Sequence, residues 1–499
     1  MSDEQLILDG ESLSLNTLAA WEADRRPVGL SDGAKKRMDT SVESVRRVID
    51  EERVSYGINT GFGALARERI SRDKVVQLQY NLVRSHTCGV GDALSPVLTR
   101  RLMLLKANAL AVGCSGIRPE VVETLLALLS ADILPLIPER GSVGASGDLA
   151  PLAHLALALI GEGEALHDGE VLEGRDVLAA VDREPVVLQA KEGLALLNGT
   201  QLSASLAIEG LFHLETLWRA SIAAGALSVE GLAGSYSPFD ARIHQVRRMP
   251  GQIRAAEGLR GWLTDSEIRE NHRNCTRVQD PYALRCMPQV LGAARDTLDH
   301  ARAMLEHELN GVSDNPLIFD DEILSGGNFH AEPIAMLADF LAIAGAEMGS
   351  ISERRTDCLV RGVNPDMPLF LTEEGGVESG FMIAHVTAAA LASENKTLAH
   401  PASVDSIPTS AGQEDHVSMA PWAGLKLTRL CENLGRILAI ELMAASRAVE
   451  LQAPLKTTPE LQKLLAWVRE TVPAHSGDRR LDVDIEALAE ALREMPERD

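Results

Sequence analysis

Long stretches of apolar residues at helical spacing dominate the second half of the chain. They run over residues 201–232, 288–309, 331–356, 381–398 and 421–451. In the last stretch Leu427, Leu430 and Leu434 recur every three or four residues, while Arg429 and Arg436 supply polar positions. The pattern predicts long, mostly buried helices.

The first half reads differently, with shorter helical patterns broken by glycine-rich turns at YGINTGFG, CGVGD and GSVGASGD. We therefore predict an N-terminal domain over 1–200, a long-helix bundle over 201–475 and a charged tail over 476–499 that carries a short helix near 485–494. Several bundle helices are apolar on more than one face. Packing between copies of the chain would cover those faces.

Composition supports a mainly α fold, because only 3% of the residues are aromatic while Ala and Leu abound. The formal net charge of -24 disfavours nucleic acid and anionic membrane surfaces as partners. Acidic and basic residues interrupt the 201–232 stretch, which argues against a bilayer span.

The cysteine pattern points to a reducing compartment. Six cysteines are scattered without CxxC or other metal spacing: Cys88, Cys114, Cys275, Cys286, Cys358 and Cys431. The N-terminal sequence MSDEQLILDGESLSL is acidic and lacks the features of a signal peptide. We expect a cytoplasmic protein.

The tripeptide Ala145-Ser146-Gly147 carries the most distinctive chemistry. Both neighbours of Ser146 are small, so the amide nitrogen of Gly147 can reach the carbonyl carbon of Ala145. Cyclisation followed by loss of water from Ser146 would leave an electrophilic methylidene on a five-membered ring. A turn built from small residues is the simpler interpretation of the tripeptide taken alone.

With its surrounding GSVGASGDLAPL, the tripeptide resembles the histidine and aromatic amino-acid ammonia-lyase family. The resemblance implies a 4-methylidene-imidazol-5-one group made from these three residues, without metal or nucleotide. It also implies an aspartase/fumarase-like fold with a central long-helix bundle, and a homotetramer. Consistent with this, HExxH and HxxxH spacings are absent, and no apolar strand precedes the G-x-G-x-x-A of 61–66.

Several site residues follow from motifs that match the family. YGINTGFG resembles its lid and makes Tyr56 a candidate base, although an ordinary phenol is a weak one. QDPYALRCMPQV supplies Gln279, Tyr282 and Arg285, and the resemblance gives Tyr282 a role near the ring and Arg285 the substrate carboxylate, which a guanidinium binds bidentately. A helix-end salt bridge is the ordinary alternative for Arg285.

Two further motifs add pocket residues. Asn198 lies where we expect a helix N-cap, and the resemblance adds a hydrogen bond to the ring carbonyl. SGGNFHAEP contributes Asn328 and Phe329, which the resemblance places at the substrate.

The substrate is indicated by Ser85-His86 and by QEDHVSM, which contains Glu414 and resembles the histidine-specific members. Glu414 could bind an imidazole or take the β-proton, whereas a phenyl ring would leave it unsatisfied. The expected reaction is elimination of ammonia from L-histidine, giving trans-urocanate. We expect the substrate amine, in preference to its imidazole ring, to add to the methylidene. The alternative function is a tyrosine or phenylalanine ammonia-lyase or a 2,3-aminomutase. Departures from the family pattern are Arg84, Met287, Glu378, His385 and Gly412.

Overall fold

The computed structural model describes residues 5–272 and 278–495, so Cys275 lies outside the described residues. The chain forms two compact units, each discontinuous in sequence. The first unit spans Met1–Glu209, Arg302–Ala338 and Pro401–Leu425; the second spans Gly210–Ala301, Asp339–His400 and Lys426–Asp499. This division differs from the predicted linear one, since two later segments belong with the N-terminal residues.

Short helices and small sheets make up the first part of the chain. The helices are α1 (Leu15–Asp24), α2 (Asp32–Asp50), α3 (Val75–His86), α4 (Pro96–Ala111), α5 (Pro119–Ser130), α6 (Leu149–Leu159), α7 (Asp176–Ala179) and α8 (Glu192–Leu197). The strands are β1 (Leu6–Leu8), β2 (Val28–Leu30), β3 (Val90–Ala93), β4 (Leu134–Pro135), β5 (Pro138–Arg140), β6 (Glu164–His167) and β7 (Glu170–Glu173). β1 and β2 pair in parallel, whereas β3–β5 and β4–β6–β7 are antiparallel.

The remaining elements are mostly helical. They are α9 (Gln201–Gly231), α10 (Ala241–Arg247), α11 (Pro250–Trp262), α12 (Glu267–Asn271), α13 (Tyr282–Arg285), α14 (Met287–Glu308), β8 (Leu317–Phe319), β9 (Glu322–Leu324), α15 (Glu332–Val360), α16 (Met382–Leu398), α17 (Ala420–Glu450), α18 (Pro459–Thr471) and α19 (Asp482–Ala491). β8 and β9 form an antiparallel hairpin. Short 3-10 turns occupy Gly63–Leu65, Arg72–Lys74, Ser237–Phe239, Leu369–Leu371, Ser410–Gly412 and Leu492–Glu494.

The five long helices confirm the prediction from apolar spacing. α9, α14, α15, α16 and α17 correspond to the five predicted stretches, and the largest difference is the end of α15, at Val360 instead of Thr356. The mainly α fold is likewise confirmed. The C-terminal prediction agrees with α19 and the turn after it.

Helix α17 shows why these segments are helical. Its apolar residues Leu427, Leu430 and Leu434 are fully buried, whereas Arg429 is exposed, as the spacing predicted. By length and composition α15 could cross a membrane, but 67% of its most apolar window is buried inside the structure, as in a core helix. The described cysteines are all free thiols.

Candidate active site

The loop that carries Ala145-Ser146-Gly147 connects β5 to α6 and is pressed against the segment 198–200. Gly147 has φ +70, and a Cβ built on it would lie 2.2 Å from the carbonyl oxygen of Gly199. The Asp148 amide donates to that same oxygen at 2.7 Å. Both the positive φ and the close approach require glycine at 147.

Ser146 is held at both its side chain and its carbonyl. Its Oγ donates to Glu414 Oε1 at 2.9 Å, and its carbonyl oxygen accepts a hydrogen bond from Asn198 Nδ2 at 2.8 Å. The flanking Ala145 and Gly147 are buried. The serine is therefore fixed between a carboxylate and an amide from distant parts of the sequence.

Glu414 accepts two further hydroxyl hydrogen bonds, from Thr409 Oγ1 at 2.6 Å and Ser410 Oγ at 2.8 Å. Burial by itself would raise the pKa of Glu414, but the hydrogen bonds from Thr409, Ser410 and Ser146 outweigh it and hold the pKa below its ordinary value. The group is thus an ionised carboxylate at neutral pH and can accept a proton.

The segment that bears Glu414 is also attached to the loop of Ser146. The Met419 amide donates to Val143 O at 2.8 Å, and Ser418 Oγ donates to Gly144 O at 3.0 Å. These bonds explain how residues 268 positions apart in sequence come to share one site.

A cavity of about 1110 Å³ opens in front of Ser146 within the first unit. The predicted residues that line it are Tyr56, His86, Ala145, Ser146, Asn198, Phe329 and Glu414. Its size suits a small amino acid together with solvent.

Tyr56 lies in a turn after α2, and its hydroxyl accepts a long hydrogen bond from the Gly63 amide at 3.4 Å. The neighbouring Ile58 is fully buried and belongs to an apolar cluster with Val45 and Ile318. The predicted lid is therefore anchored at its base while Tyr56 faces the cavity.

His86 ends α3, and its Nδ1 lies 2.9 Å from the carbonyl oxygen of Leu82. A carbonyl can only accept, so Nδ1 carries the proton and Nε2 is left with a lone pair. Burial lowers the pKa of His86, although Glu414 opposes the shift. His86 is therefore a neutral imidazole at the edge of the cavity.

Four of the predicted catalytic and substrate-binding residues do not line this cavity. Asn328 is exposed and donates to Val312 O at 3.2 Å. Gln279, Tyr282 and Arg285 belong to the second unit; Gln279 is exposed and Tyr282 is 70% exposed, with the Arg285 guanidinium 4.5 Å from its ring centre. Tyr282 and Arg285 contact each other, but the first-unit cavity does not include them.

The expectation that Asn198 begins a helix is wrong. Asn198 follows the last residue of α8, and α9 begins only at Gln201. Its side chain is consequently not used as a cap and is available to Ser146 O. The side chain of Asn198 thus bonds the Ser146 main-chain carbonyl, and the helix-capping hydrogen bond suggested by local sequence is not formed.

Two buried ionisable residues behind the loop escaped sequence reasoning. Asp148 accepts hydrogen bonds from the Ser203 amide and hydroxyl at 2.9 and 3.0 Å, and burial raises its pKa to about 6. Lys106 donates to Asn198 O at 2.7 Å, and burial lowers its pKa to about 7. A lone lysine within the apolar run MLLKANALA was the available signal for the second.

Known proteins place this arrangement in context. A family model for aromatic amino acid lyase matches residues 13–470. The chain is 51% identical over 484 residues to a histidine ammonia-lyase of Idiomarina loihiensis, covering 96% of this chain and 95% of that relative.

Solved structures agree with the sequence matches. Histidine ammonia-lyase from Trypanosoma cruzi superposes with a TM-score of 0.90 at 40% identity, covering 98% of this chain and 94% of that one. Tyrosine aminomutase from Streptomyces globisporus gives 0.92 at 37% identity, covering 98% and 97%. The chain belongs to the aromatic amino acid lyase family.

Proposed function

We propose that this chain eliminates ammonia from L-histidine without oxidation, giving trans-urocanate, the first step of histidine degradation. The observation that carries the proposal is the hydrogen-bonded set of Ser146, Asn198 and Glu414 at a cavity that His86 also lines. The 51% identity to a histidine ammonia-lyase over nearly the full chain supports it.

We infer that Ala145, Ser146 and Gly147 cyclise to 4-methylidene-imidazol-5-one. The residues fit this group, because Gly147 occupies a position that excludes any side chain and Asn198 already bonds the carbonyl that would become the ring oxygen. When formed, the group supplies an electrophilic methylidene that activates the amine as a leaving group. The described residues contain no cluster of three metal-ligating side chains, and the proposed chemistry requires none.

The chain's own residues would supply the remaining activation. Glu414 is ionised and lines the cavity, so it can take the β-proton of the substrate. Tyr56 lines the same cavity from the lid and is the second candidate. Asn198 donates to the Ser146 carbonyl and would stabilise negative charge there.

Histidine specificity follows from two acceptors at one cavity. The Nε2 lone pair of His86 and the Glu414 carboxylate can each receive an imidazole N–H, whereas a phenyl ring offers no donor to either. The likeness to tyrosine aminomutase, at 37% identity, keeps an aminomutase or a lyase acting on tyrosine or phenylalanine as the second candidate.

The active form proposed is a homotetramer in which Gln279, Tyr282 and Arg285 of one copy complete the cavity of another. Support comes from the exposure of Tyr282 and from large apolar side chains left exposed on α15 and α16: Phe340, Ile343, Ile383 and Val386. The cytoplasm remains the predicted compartment, given the free thiols among the described residues.

Incubating the purified protein separately with histidine, tyrosine and phenylalanine tests the substrate. We expect the ultraviolet absorbance of a conjugated acid with histidine and little turnover of the others. Faster turnover of tyrosine or phenylalanine, or recovery of a β-amino acid, would instead support the second candidate.

Co-expression of two inactive variants tests the shared site. Ser146→Ala and Tyr282→Phe should each be inactive alone, and mixed oligomers should regain part of the activity because some cavities receive both intact residues. A monomer by light scattering, or no recovery in the mixture, would contradict the shared cavity.

A further inference from the structure

The segment 198–200 forms a backing for the reactive loop. Asn198 Nδ2 donates to Ser146 O, and Gly199 O accepts the Asp148 amide. The Thr200 amide in turn donates to Ser313 Oγ at 3.2 Å. The position of Ser146 therefore depends on how firmly this segment is held.

Lys106 reaches the same segment from the middle of α4. The residue is 1% exposed, and its Nζ donates to the main-chain oxygen of Asn198 at 2.7 Å. The Lys106 ammonium thus donates to the main-chain oxygen of Asn198, and the side-chain amide of Asn198 donates to the Ser146 carbonyl. Two hydrogen bonds therefore link the interior of α4 to the reactive serine.

A buried lysine at position 106 lowers the free energy of unfolding, because its ammonium loses hydration. Burial lowers its pKa to about 7, an effect that the nearby Lys191 reinforces and Asp314 opposes. A methionine of similar length would fill the same space without desolvating an amine. What the lysine supplies in this position is a hydrogen bond to the buried carbonyl oxygen of Asn198.

We propose that Lys106 is a positioning residue that holds the Asn198 backbone, so that the Asn198 amide is aligned on the Ser146 carbonyl. The inference rests on the proposed function of the loop. Since both the ammonium and the neutral amine are donors, the bond to Asn198 O can persist across neutral pH. Donor capacity, and not charge, is what the position requires.

The test compares Lys106→Met, which removes the hydrogen-bond donor, with Lys106→Gln, which keeps a donor on a shorter side chain. Leu104→Ala is the matched control, since Leu104 is fully buried on the same helix and its truncation destabilises α4 without removing the bond. Intact mass gives the fraction of chains that have lost two waters. kcat and KM for histidine are then expressed per cyclised chain.

We expect Lys106→Met to lower the cyclised fraction or to lower kcat per cyclised chain by about 10- to 100-fold with KM nearly unchanged. Lys106→Gln should recover part of the loss, and Leu104→Ala should show neither defect. If Lys106→Met equals Leu104→Ala in both readouts, or Lys106→Gln is no better than Lys106→Met, the positioning role is overturned. Absence of histidine turnover by the unaltered protein would be the separate failure of the proposed function.

Discussion

Buried charges are satisfied differently in the core of the second unit and behind the cavity of the first. In the second unit Glu441 and Arg355 are fully buried and paired, at 2.5 and 2.7 Å. Behind the cavity, Asp148 and Lys106 are held by serine groups and a backbone carbonyl, and the described residues place no pairing charge at hydrogen-bond distance from either. Burial raises the pKa of Asp148 to about 6 and lowers the pKa of Lys106 to about 7, so both shifts favour the neutral form of the group.

The difference separates two uses of a buried ionisable group. A pair with matched geometry keeps both charges and fixes how helices pack. A group bound to neutral partners orients the backbone that it contacts, at a cost in desolvation. Neither arrangement is confined to one unit: the first also pairs Lys191 with Asp314 at 2.7 Å, and the second also holds the buried Glu230 through the hydroxyls of Tyr236, Ser266 and Thr457.

The largest effect is expected from Ser146→Ala, which acts on the cavity alone. Without the hydroxyl there is no water to eliminate, and urocanate formation should fall by at least about 10³-fold. The melting temperature should change little, because Ser146 is only partly buried. Ultraviolet assay, intact mass and thermal melting check the three parts, and undiminished urocanate would refute the proposed chemistry.

Glu441→Leu tests the buried ion pair in the core of the second unit. It leaves Arg355 buried and unpaired, which should cost about 3–5 kcal/mol in the free energy of unfolding. The double variant Glu441→Leu/Arg355→Met should recover part of that loss, since an apolar pair needs no counter-charge while the buried hydroxyls of Ser228 and Ser352 still lose their acceptor. Denaturant unfolding measures both; a single variant as stable as the double would show that the pair is not coupled.

Glu414→Gln tests whether the carboxylate near Ser146 acts in the reaction. The amide keeps an acceptor for Thr409 and Ser410 but cannot take a proton, so kcat for histidine should fall by about 100-fold. Tyr56→Phe, measured in parallel, distinguishes the second candidate base. If Tyr56→Phe alone lowers kcat, the proton is taken from the lid and Glu414 serves only to bind.

Sequence reasoning was strongest where a pattern repeats and weakest where a contact is unique. The long helices were predictable because Leu427, Leu430 and their counterparts recur over many turns. Asn198 was misassigned, since a polar residue before a long helix has the same local signature whether it caps the helix or faces a distant loop. The pairing of Lys106 with Asn198 O, 92 positions away, has no local signature at all.

The pH dependence of stability should follow the buried lysine. Lys106 has a pKa of about 7 in the fold against an ordinary 10.5, so between these values the unfolded chain binds more protons. The free energy of unfolding relative to Lys106→Met should therefore rise with pH across this window, by up to about 1.4 kcal/mol per unit. Below pH 7 Lys106 is protonated in both the folded and the unfolded chain, so the full free-energy cost of burying the ammonium is present. Unfolding at several pH values measures it; a flat difference would contradict the burial of a titrating amine.

The smallest effect is expected at Arg84, a departure from the family pattern two residues before His86. Its guanidinium pairs with Glu162 on the surface and lies 5.5 Å from the Tyr80 ring centre. Exposed ion pairs contribute little, so Arg84→Leu should leave both the free energy of unfolding and KM for histidine nearly unchanged. A large rise in KM would mean that Arg84 helps to orient the end of α3, and hence that a surface charge, as well as a buried one, positions this cavity.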